Sequence, residues 1–405
     1  MKKVILALLI GILSINPAYA YDPDTHQKMS EKAFGTSVLT TDSKVLDNLG
    51  LPPLSAEKKY PNSPLFSQQR TIVELFQDGA NFEDSLLRPA NHFFDPLTGK
   101  GLAVGSPSPD WAIDGTGDSS TIKFSFKAAR EYLWQATANP LNNYDCRQKQ
   151  FGLMFRSLGQ VIHHIQDMAQ PQHVRNDLHC DNPLCYPLGI YNPSLYEKYT
   201  KEAGIALRLP YTNTDYTAST QVKFDTARKF WTTTVNGNGN TGQGMAEFTN
   251  RNFVSAGTNF ALQNGAASPS SRYQSPKLNG ASSIGDVATL FAAAGKPVPA
   301  GCTDALNPCT MTFYASTVTD SLLGKTYTNQ RATTRSMFDD ALVASGKTIT
   351  YTDPDTGQLI TTDRLFALNQ FNYDAAQQFL IPRAVAYSAG LINYFFYDLT
   401  SRSQT

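Results

Sequence analysis

The sequence lacks a long hydrophobic segment beyond its first 20 residues, and it lacks an excess of charge of either sign. No run of 18 or more apolar residues follows position 20, which argues against a membrane anchor. The 34 Lys and Arg residues balance the 34 Asp and Glu residues, so no basic surface for nucleic acid is indicated. Neither a G-x-S-x-G motif nor a phosphate-binding glycine loop occurs, and a serine nucleophile is therefore not indicated.

The first 20 residues have the parts of an export signal. Residues 1–3 are cationic, residues 4–15 form an apolar run too short to span a bilayer, and residues 18–20 have the small-x-small pattern of a cleavage site. We therefore predict a signal peptide over residues 1–20. The mature chain would begin at Tyr21 and be secreted or periplasmic.

Apolar residues at helical spacing predict a mainly α fold. The predicted helices cover residues 24–34, 66–78, 119–138, 145–168, 194–207, 219–234, 245–253 and 372–397, the last with a break at Pro382. Between about 266 and 360 the composition shifts to Ser, Thr and Gly, and residues 348–360 have a β-hairpin pattern around Pro-Asp-Thr-Gly. We predict a single α-helical domain over residues 21–405 with an elaborated insert at about 266–360.

The five cysteines permit two short loops. In an exported protein, Cys180 with Cys185 and Cys302 with Cys309 are the economical disulfide pairs, and Cys146 is left over. A cysteine metal site is the alternative, although neither pair has the C-x-x-C spacing of structural zinc.

The stretch from 157 to 180 contains four of the six histidines. On a helix, His163 and Asp167 are four residues apart and share a face, so both could bind one ion or two adjacent ions. The same spacing is also common in a simple surface or core pair. His173 follows Asp167 by six residues, beyond Pro171, and His179 follows six residues later.

Three further positions carry possible ligands. Glu83 and Asp84 follow a predicted helix, and His92 stands in an aromatic turn, where a histidine is usually a packed hydrogen-bonding residue. His26 lies five residues from Tyr21, near enough for a free α-amino group to reach the same ion.

Taken in order, these residues resemble a known family. His26, Gly79-x4-Asp84, His92-Phe-Phe-Asp-Pro and His163-x3-Asp167-x2-Gln-Pro-x-His173 are similar to the bacterial zinc-dependent phospholipases C, which share their fold with fungal zinc-dependent single-strand nucleases. The segments at residues 173–179, 196–199, 246–253 and 380–391 most resemble the zinc metallophospholipase C branch of Pseudomonas and Legionella. The resemblance spans most of the mature chain and is weakest between about 266 and 360.

The resemblance implies a phospholipase C/nuclease-like fold with two or three zinc ions. One ion would be held by Asp84, His92, His163 and Asp167. Asp167 would bridge to a second ion, held by His26 and by the amino and carbonyl groups of Tyr21. The third ion would be held by His173 and Glu197.

Two positions depart from the family pattern. Tyr21 stands where the best-studied members have Trp, which matters little because backbone atoms are the ligands. Pro193 stands where they have a histidine, four residues before Glu197, and proline cannot bind zinc. His179 is the natural substitute, with Asp177 as its nearest competitor, and His164 is interpreted as a second-shell or core residue.

Such a site suits the hydrolysis of a phosphate ester. Zinc lowers the pKa of its bound water from about 15.7 to about 7, so a metal-bound hydroxide is available as the nucleophile. Asp84 could be a zinc ligand, the general base, or both. The resemblance implies hydrolysis of the glycerol-side phosphodiester bond of a phospholipid, with transient membrane-surface contact and products diacylglycerol and phosphorylated headgroup.

Two alternatives remain from the sequence. One is a zinc-dependent nuclease or nucleotidase on the same fold, although the neutral charge balance leads us to expect no nucleic-acid partner. The other is a non-catalytic exported protein that metal ions stabilise, because the expected histidine at position 193 is missing.

Overall fold

The computed structural model describes most of the 405-residue chain. The described residues are 23–63, 66–85, 88–180, 185–187, 191–202, 222–234, 241–258, 283–286, 292, 295, 312–335, 346, 348–352, 358–362, 366–369 and 372–402. The predicted signal peptide, Tyr21, Cys302 and Cys309 lie outside them.

Over the described residues the fold is mainly α, with ten α-helices. They are α1 (Pro23–Thr36), α2 (Val38–Thr41), α3 (Ser43–Asn48), α4 (Ile72–Phe82), α5 (Ser108–Asp114), α6 (Phe126–Thr137), α7 (Tyr144–Asp167), α8 (Leu195–Glu202), α9 (Met245–Asn252) and α10 (Tyr373–Arg402). Short 3-10 helices in the same part of the chain cover Leu54–Ala56, Arg88–Asn91, His173–Arg175 and Ala227–Phe230.

The described strands form three antiparallel sheets. They are β1 (Tyr60–Ser63), β2 (Phe66–Arg70), β3 (Ser283–Asp286), β4 (Thr312–Asp320), β5 (Lys325–Arg335), β6 (Ile349–Thr352), β7 (Leu359–Thr362) and β8 (Phe366–Ala367). β1 pairs with β2, and β3-β4-β5-β8 make a four-stranded sheet. β6 and β7 pair from Ile349 with Thr362 to Thr352 with Leu359, which confirms the predicted hairpin. The four-stranded sheet was not predicted from the sequence.

Helix α7 is the element around which the site is built. The side chain of Asn143 accepts a hydrogen bond from the amide of Cys146 and so caps the start of the helix. Every residue from Phe151 to Asp167 is buried, because α4, α6, β1 and α10 pack around the helix. A helix enclosed in this way holds the side chains of its last turns in fixed positions.

Helices α4 and α7 approach each other closely through two glycines. A Cβ atom at Gly79 would collide with the carbonyl oxygen of Arg156, and one at Gly159 would collide with that of Phe76. Only glycine permits this contact. The approach brings Asp84, two residues beyond the end of α4, to the last turns of α7.

The C-terminal helix α10 connects the helices to the four-stranded sheet. It packs against α1, α7, α9 and β5. The buried guanidinium of Arg383 donates hydrogen bonds to Asp320, at the end of β4, and to the hydroxyl of Tyr387, the latter at 3.0 Å.

The predicted break at Pro382 is wrong, since helix α10 runs through it. Packing on several sides outweighs the one hydrogen bond that a proline removes. Among the described helices, none is both long and apolar enough to cross a membrane.

Two predicted helices begin later than expected. The prediction for residues 66–78 is wrong at its start, because Thr71 and Glu74 form a capping box and α4 begins only at Ile72, after strand β2. The prediction for residues 119–138 fails in the same way, because Ser125 accepts a hydrogen bond from the amide of Ala128 and α6 begins at Phe126.

The helix predicted over residues 219–234 is wrong over its described part. Only the 3-10 helix Ala227–Phe230 occurs there. The amides of Thr233 and Thr234 donate to the carboxylate of Glu247, at 3.1 and 3.2 Å. These bonds take the place of the backbone hydrogen bonds that the two amides would make in a continued helix. The helices predicted over 24–34, 145–168 and 245–253 are confirmed as α1, α7 and α9, and the described part of 194–207 contains α8.

Candidate metal centre

All six histidines of the sequence are buried. His26 is carried by α1, and His92 follows the 3-10 helix Arg88–Asn91. His163 and His164 lie in α7, and the last two histidines follow its C-terminal end. Histidine is on average only intermediate in burial, so complete burial of all six calls for a specific use of their ring nitrogens.

Five predicted ligands form the first group, which we name the helix cluster: His26, Asp84, His92, His163 and Asp167. Oδ2 of Asp167 lies 3.0 Å from Nδ1 of His92 and 3.2 Å from Nε2 of His163. Oδ1 of Asp167 lies 3.4 Å from Nε2 of His26. Oδ1 of Asp84 is 3.5 Å from the same nitrogens of His92 and His163. Asp167 is therefore central, as expected of a bridging ligand.

The hydrogen bonds of His26 determine which of its nitrogens faces the cluster. The amide nitrogen of Gln166 donates to the hydroxyl of Ser30 at 3.0 Å, which directs the amide oxygen toward Nδ1 of His26 at 2.7 Å. Nδ1 therefore carries the hydrogen, and Nε2 presents a lone pair. That lone pair faces a carboxylate oxygen of Asp167, an arrangement that a cation between them would stabilise.

Asp167 is the least compensated charge among the described residues of the helix cluster. Its side chain is fully buried, and neither carboxylate oxygen accepts a hydrogen bond within the described chain. Burial opposes ionisation, but His163 and His92 hold the pKa of Asp167 well below its usual range. A buried carboxylate without hydrogen-bond donors is costly, and a bound metal ion would remove that cost.

Three other residues form the second group, which we name the loop cluster: His173, His179 and Glu197. Nε2 of His173 and Nε2 of His179 are 3.4 Å apart, and Oε1 of Glu197 lies 2.8 Å from Nε2 of His179. Nδ1 of His173 faces the carbonyl of His92 at 3.2 Å, and Nδ1 of His179 faces that of Asp177 at 3.4 Å. Carbonyls can only accept, so both Nδ1 atoms carry hydrogen and both Nε2 atoms present lone pairs within the loop cluster.

The start of α8 orients Glu197. The hydroxyl of Ser194 accepts a hydrogen bond from the amide of Glu197 at 3.2 Å and another from Gln172 Nε2 at 2.7 Å. Gln172 Nε2 also lies 3.5 Å from Oε1 of Glu197. Pro193 precedes this turn, and His179 contacts the carboxylate of Glu197.

Asp177, the alternative candidate to His179 as a metal ligand, makes a side-chain contact with a different residue. Its carboxylate accepts a hydrogen bond from the hydroxyl of Ser255. His179, by contrast, contacts both other members of the loop cluster. The sequence-based choice of His179 over Asp177 therefore agrees with the positions of the two side chains.

The two clusters are adjacent. The imidazole rings of His92 and His173 have centroids 6.3 Å apart, and the carbonyl of His92 meets Nδ1 of His173. Phe93 stacks on His173 at 4.4 Å between ring centroids. His92 and Phe93 thus link the two clusters: the imidazole of His92 belongs to the helix cluster, and its carbonyl and the ring of Phe93 contact His173 of the loop cluster.

Glu83 and His164 make a supporting network that sequence reasoning only partly found. Oε1 of Glu83 accepts from Nε2 of His164 and from Nε1 of Trp111, each at 2.9 Å, and lies 3.9 Å from Nε2 of His92. Arg88 donates to Oε2 at 2.6 Å. His164 was expected as a second-shell or core residue. Glu83 was noticed only as a carboxylate beside Asp84.

Burial and charge set the ionisation of this network. Burial would raise the pKa of Glu83, but Arg88 and His164 outweigh it and hold the pKa below its usual range. Burial lowers the pKa of His163 to about 3, and it also lowers the pKa of His164 and His173. At pH 7 these three histidines are therefore neutral, the form in which imidazole binds metal ions.

Several of these buried groups could hold a metal ion. In each group the possible ligand atoms lie within 4.8 Å of one another, and the groups are His26/His163/Asp167, Asp84/His92/His163, His173/His179/Glu197 and Glu83/His92/His164. We interpret the fourth as a hydrogen-bonded support, because Arg88 already neutralises Glu83. Tyr21, the remaining predicted ligand, lies outside the described residues. In comparisons with known proteins, the chain matches no family model, no curated protein and no solved structure.

Proposed function

We propose that the protein is an exported zinc-dependent phosphodiesterase of the phospholipase C type. It would hydrolyse the glycerol-side phosphodiester bond of phospholipids during transient contact with a membrane surface, releasing diacylglycerol and a phosphorylated headgroup. The lipid part of the proposal is supported by the sequence resemblance, and the metal part by the two ligand clusters.

One observation carries the proposal: two buried ligand clusters lie side by side. Phosphoryl-transfer sites that use several metal ions need such neighbouring sets, so that the attacking and leaving oxygens are stabilised together. The helix and loop clusters meet at His92 and His173, whose rings are 6.3 Å apart. A buried structural metal site would need only one set of ligands.

The ligand atoms suit zinc. They are imidazole nitrogens and carboxylate oxygens, with no thiolate, and the histidines with resolved pKa shifts are neutral. In the proposal the helix cluster holds two ions, with the amino and carbonyl groups of Tyr21 completing the set around His26. The loop cluster holds the third. When bound, zinc supplies Lewis acidity toward the phosphoryl group and makes water reactive near neutral pH.

The chain's own residues then have distinct tasks. Asp167 keeps its negative charge between three imidazoles and holds the helix cluster together. Asp84, whose Oδ1 faces His92 and His163, is the side chain to which we assign proton transfer from the attacking water. Glu83 fixes the supporting hydrogen bonds through His164 and Trp111.

The direct test uses purified mature protein loaded with zinc. Release of diacylglycerol and phosphorylated headgroup from phosphatidylcholine and phosphatidylglycerol vesicles is measured beside nucleotide release from single-stranded DNA. Metal content is determined on the same sample by mass spectrometry, before and after a chelator. We expect two or three zinc ions per chain, lipid hydrolysis that the chelator abolishes, and intact DNA.

Each other result replaces part of the proposal. Cleavage of DNA with intact lipid would identify a nuclease on this scaffold. Bound zinc without hydrolysis of either substrate would indicate a protein that metal ions only stabilise. Absence of bound zinc would reject the metal assignment altogether.

A further inference from the structure

The loop cluster contains one ligand that neither a helix nor a strand supports. His173 belongs to a 3-10 helix and Glu197 to α8, whereas His179 lies in irregular chain. On its N-terminal side, the amide of Asp177 donates to the carbonyl of Gln172 at 2.9 Å. The position of His179 therefore depends in part on what holds the chain on its C-terminal side.

That side is held by an isolated bridge and a disulfide. Cys180 and Asn192 exchange two backbone hydrogen bonds of 2.8 Å, and the side chain of Asn192 donates to the carbonyl of Leu178, also at 2.8 Å. Cys180 is bonded to Cys185. Tyr186 and Tyr191 stack at 3.8 Å between ring centroids beside the bridge.

The backbone bridge alone is a weak restraint. Two hydrogen bonds at an isolated bridge add little net stability, and isolated two-stranded pairs are marginal in water. The neighbouring side chains of Leu178 and Tyr186 are 44% and 62% exposed, whereas Cys180 and Cys185 are buried. The covalent link is a restraint on Cys180 that thermal opening of the bridge does not remove.

We propose that the Cys180–Cys185 disulfide is a positioning element for His179, and that the loop cluster retains its metal ion only while this disulfide is intact. The inference rests on the proposed zinc-binding function of the loop cluster. The helix cluster has no direct dependence on this disulfide, because its ligands come from α1, from α7 and from the chain between α4 and α5.

The chemical step is a two-electron reduction. A dithiol transfers two electrons and its two thiol protons and becomes a disulfide. A phosphine supplies two electrons, while one water molecule supplies two protons and the oxygen of the phosphine oxide. In both cases the S–S bond breaks and two S–H bonds form. Cys180, the residue after His179, then loses its covalent link to Cys185. Nε2 of His179 is no longer held beside Nε2 of His173, and the affinity of the loop cluster for zinc falls.

The test compares zinc binding by three full-length variants. Cys180→Ser with Cys185→Ser removes the link, Cys302→Ser with Cys309→Ser removes the other predicted cysteine pair, and Cys146→Ser removes the exposed free thiol. We expect the first variant to bind one zinc ion fewer than the wild type, or to bind one ion at least roughly 10-fold more weakly. The other two variants should keep the wild-type zinc content. Cobalt substitution adds a spectroscopic count of the occupied sites.

A second measurement tests the inference on the wild-type protein, and it is needed if the Cys180/Cys185 variant does not fold. Folded, zinc-loaded wild-type protein is treated with a phosphine, zinc release is followed with a chromophoric indicator, and alkylation mapping reports which cysteines were reduced. Release of one ion in step with reduction of Cys180 and Cys185 supports the inference, and His179→Ala should show no further release.

Two results would overturn the inference, and they are distinguishable. If the Cys180/Cys185 variant, or the reduced protein, keeps every ion with unchanged affinity, the positioning role is wrong and the proposed function stands. If the wild-type protein binds no zinc at all, the proposed function fails and this inference fails with it.

Discussion

In the helix cluster, His163 and Asp167 project from adjacent turns of a helix that is buried from Phe151 to its end. In the loop cluster, His179 lies in irregular chain beside a disulfide and an isolated bridge. The helix cluster is thus positioned by core packing, and the loop cluster by a few local bonds. The two clusters use similar ligand atoms, but these atoms are positioned in different ways. The clusters should therefore differ in their sensitivity to substitution, reduction and pH.

The largest effect is expected from Asp167→Asn, which removes the carboxylate that three imidazoles face. The helix cluster should lose its metal ions, and phosphodiester hydrolysis should fall roughly 1,000-fold, the upper range for losing one electrostatic stabiliser. Metal content and initial rates measure both. Asp225→Asn is the matched control, because the side chain of Asp225 is 71% exposed. Full zinc content in Asp167→Asn would show that Asp167 is not the bridge.

A smaller effect is expected from His179→Ala. One ion should be lost while the helix cluster stays occupied, and hydrolysis should fall roughly 100-fold, because one stabilising charge is removed. Leu178→Ala is the control on the same loop, since its contact with Asn192 is made by the backbone carbonyl. Loss of all ions from His179→Ala would contradict the view that core packing positions the helix cluster.

Glu83→Gln tests the support behind the helix cluster. Its carboxylate accepts from His164 and Trp111 and lies beside His92, so the variant should weaken zinc binding at the helix cluster roughly 10-fold. The zinc affinity of the loop cluster should change less. Glu247→Gln is a matched control, because Glu247 is also buried and accepts hydrogen bonds from threonines. Equal losses in both variants would indicate a general stability effect.

The smallest effect is the pH dependence of the metal-free protein. Burial lowers the pKa of His163 to about 3, whereas the unfolded value is 6.5. Below pH 6.5 the unfolded chain therefore binds a proton that the folded chain excludes. Each such histidine can lower the free energy of unfolding by at most about 1.4 kcal/mol per pH unit.

His164 and His173 add to this effect, because burial lowers the pKa of each. The lowered pKa of Asp167 acts only near and below its ordinary value of 3.8, outside the range from pH 6.5 to 5. Thermal unfolding without metal should therefore occur at lower temperature at pH 5 than at pH 7, and His163→Gln should flatten the trend. An unchanged midpoint across this range would show that these histidines are already charged in the folded protein.

The sequence predicted the helix cluster more directly than the loop cluster for a physical reason. The spacing of His163 and Asp167 is a local helical pattern, readable without knowledge of the fold. His179 could be proposed only because the other histidines were already used. The support by Glu83 was missed, because it depends on where Arg88, Trp111 and His164 lie in space.

Other differences have similar causes. The continuity of α10 through Pro382 depends on tertiary packing, which local propensity does not include. The four-stranded sheet contains strands as far apart in the sequence as β3 and β8, and a pairing such as that of β5 with β8 leaves little trace in a short sequence window. The hairpin of β6 and β7 was predictable because its turn residues lie between two adjacent strands.

His92 gives the centre a further property. Its imidazole belongs to the helix cluster, while its backbone carbonyl accepts a hydrogen bond from Nδ1 of His173 in the loop cluster. An ion that fixes the imidazole also restricts this carbonyl, and an ion on His173 restricts His92 in return. Because such coupling is reciprocal, zinc bound in either cluster should change the zinc affinity of the other cluster by the same factor.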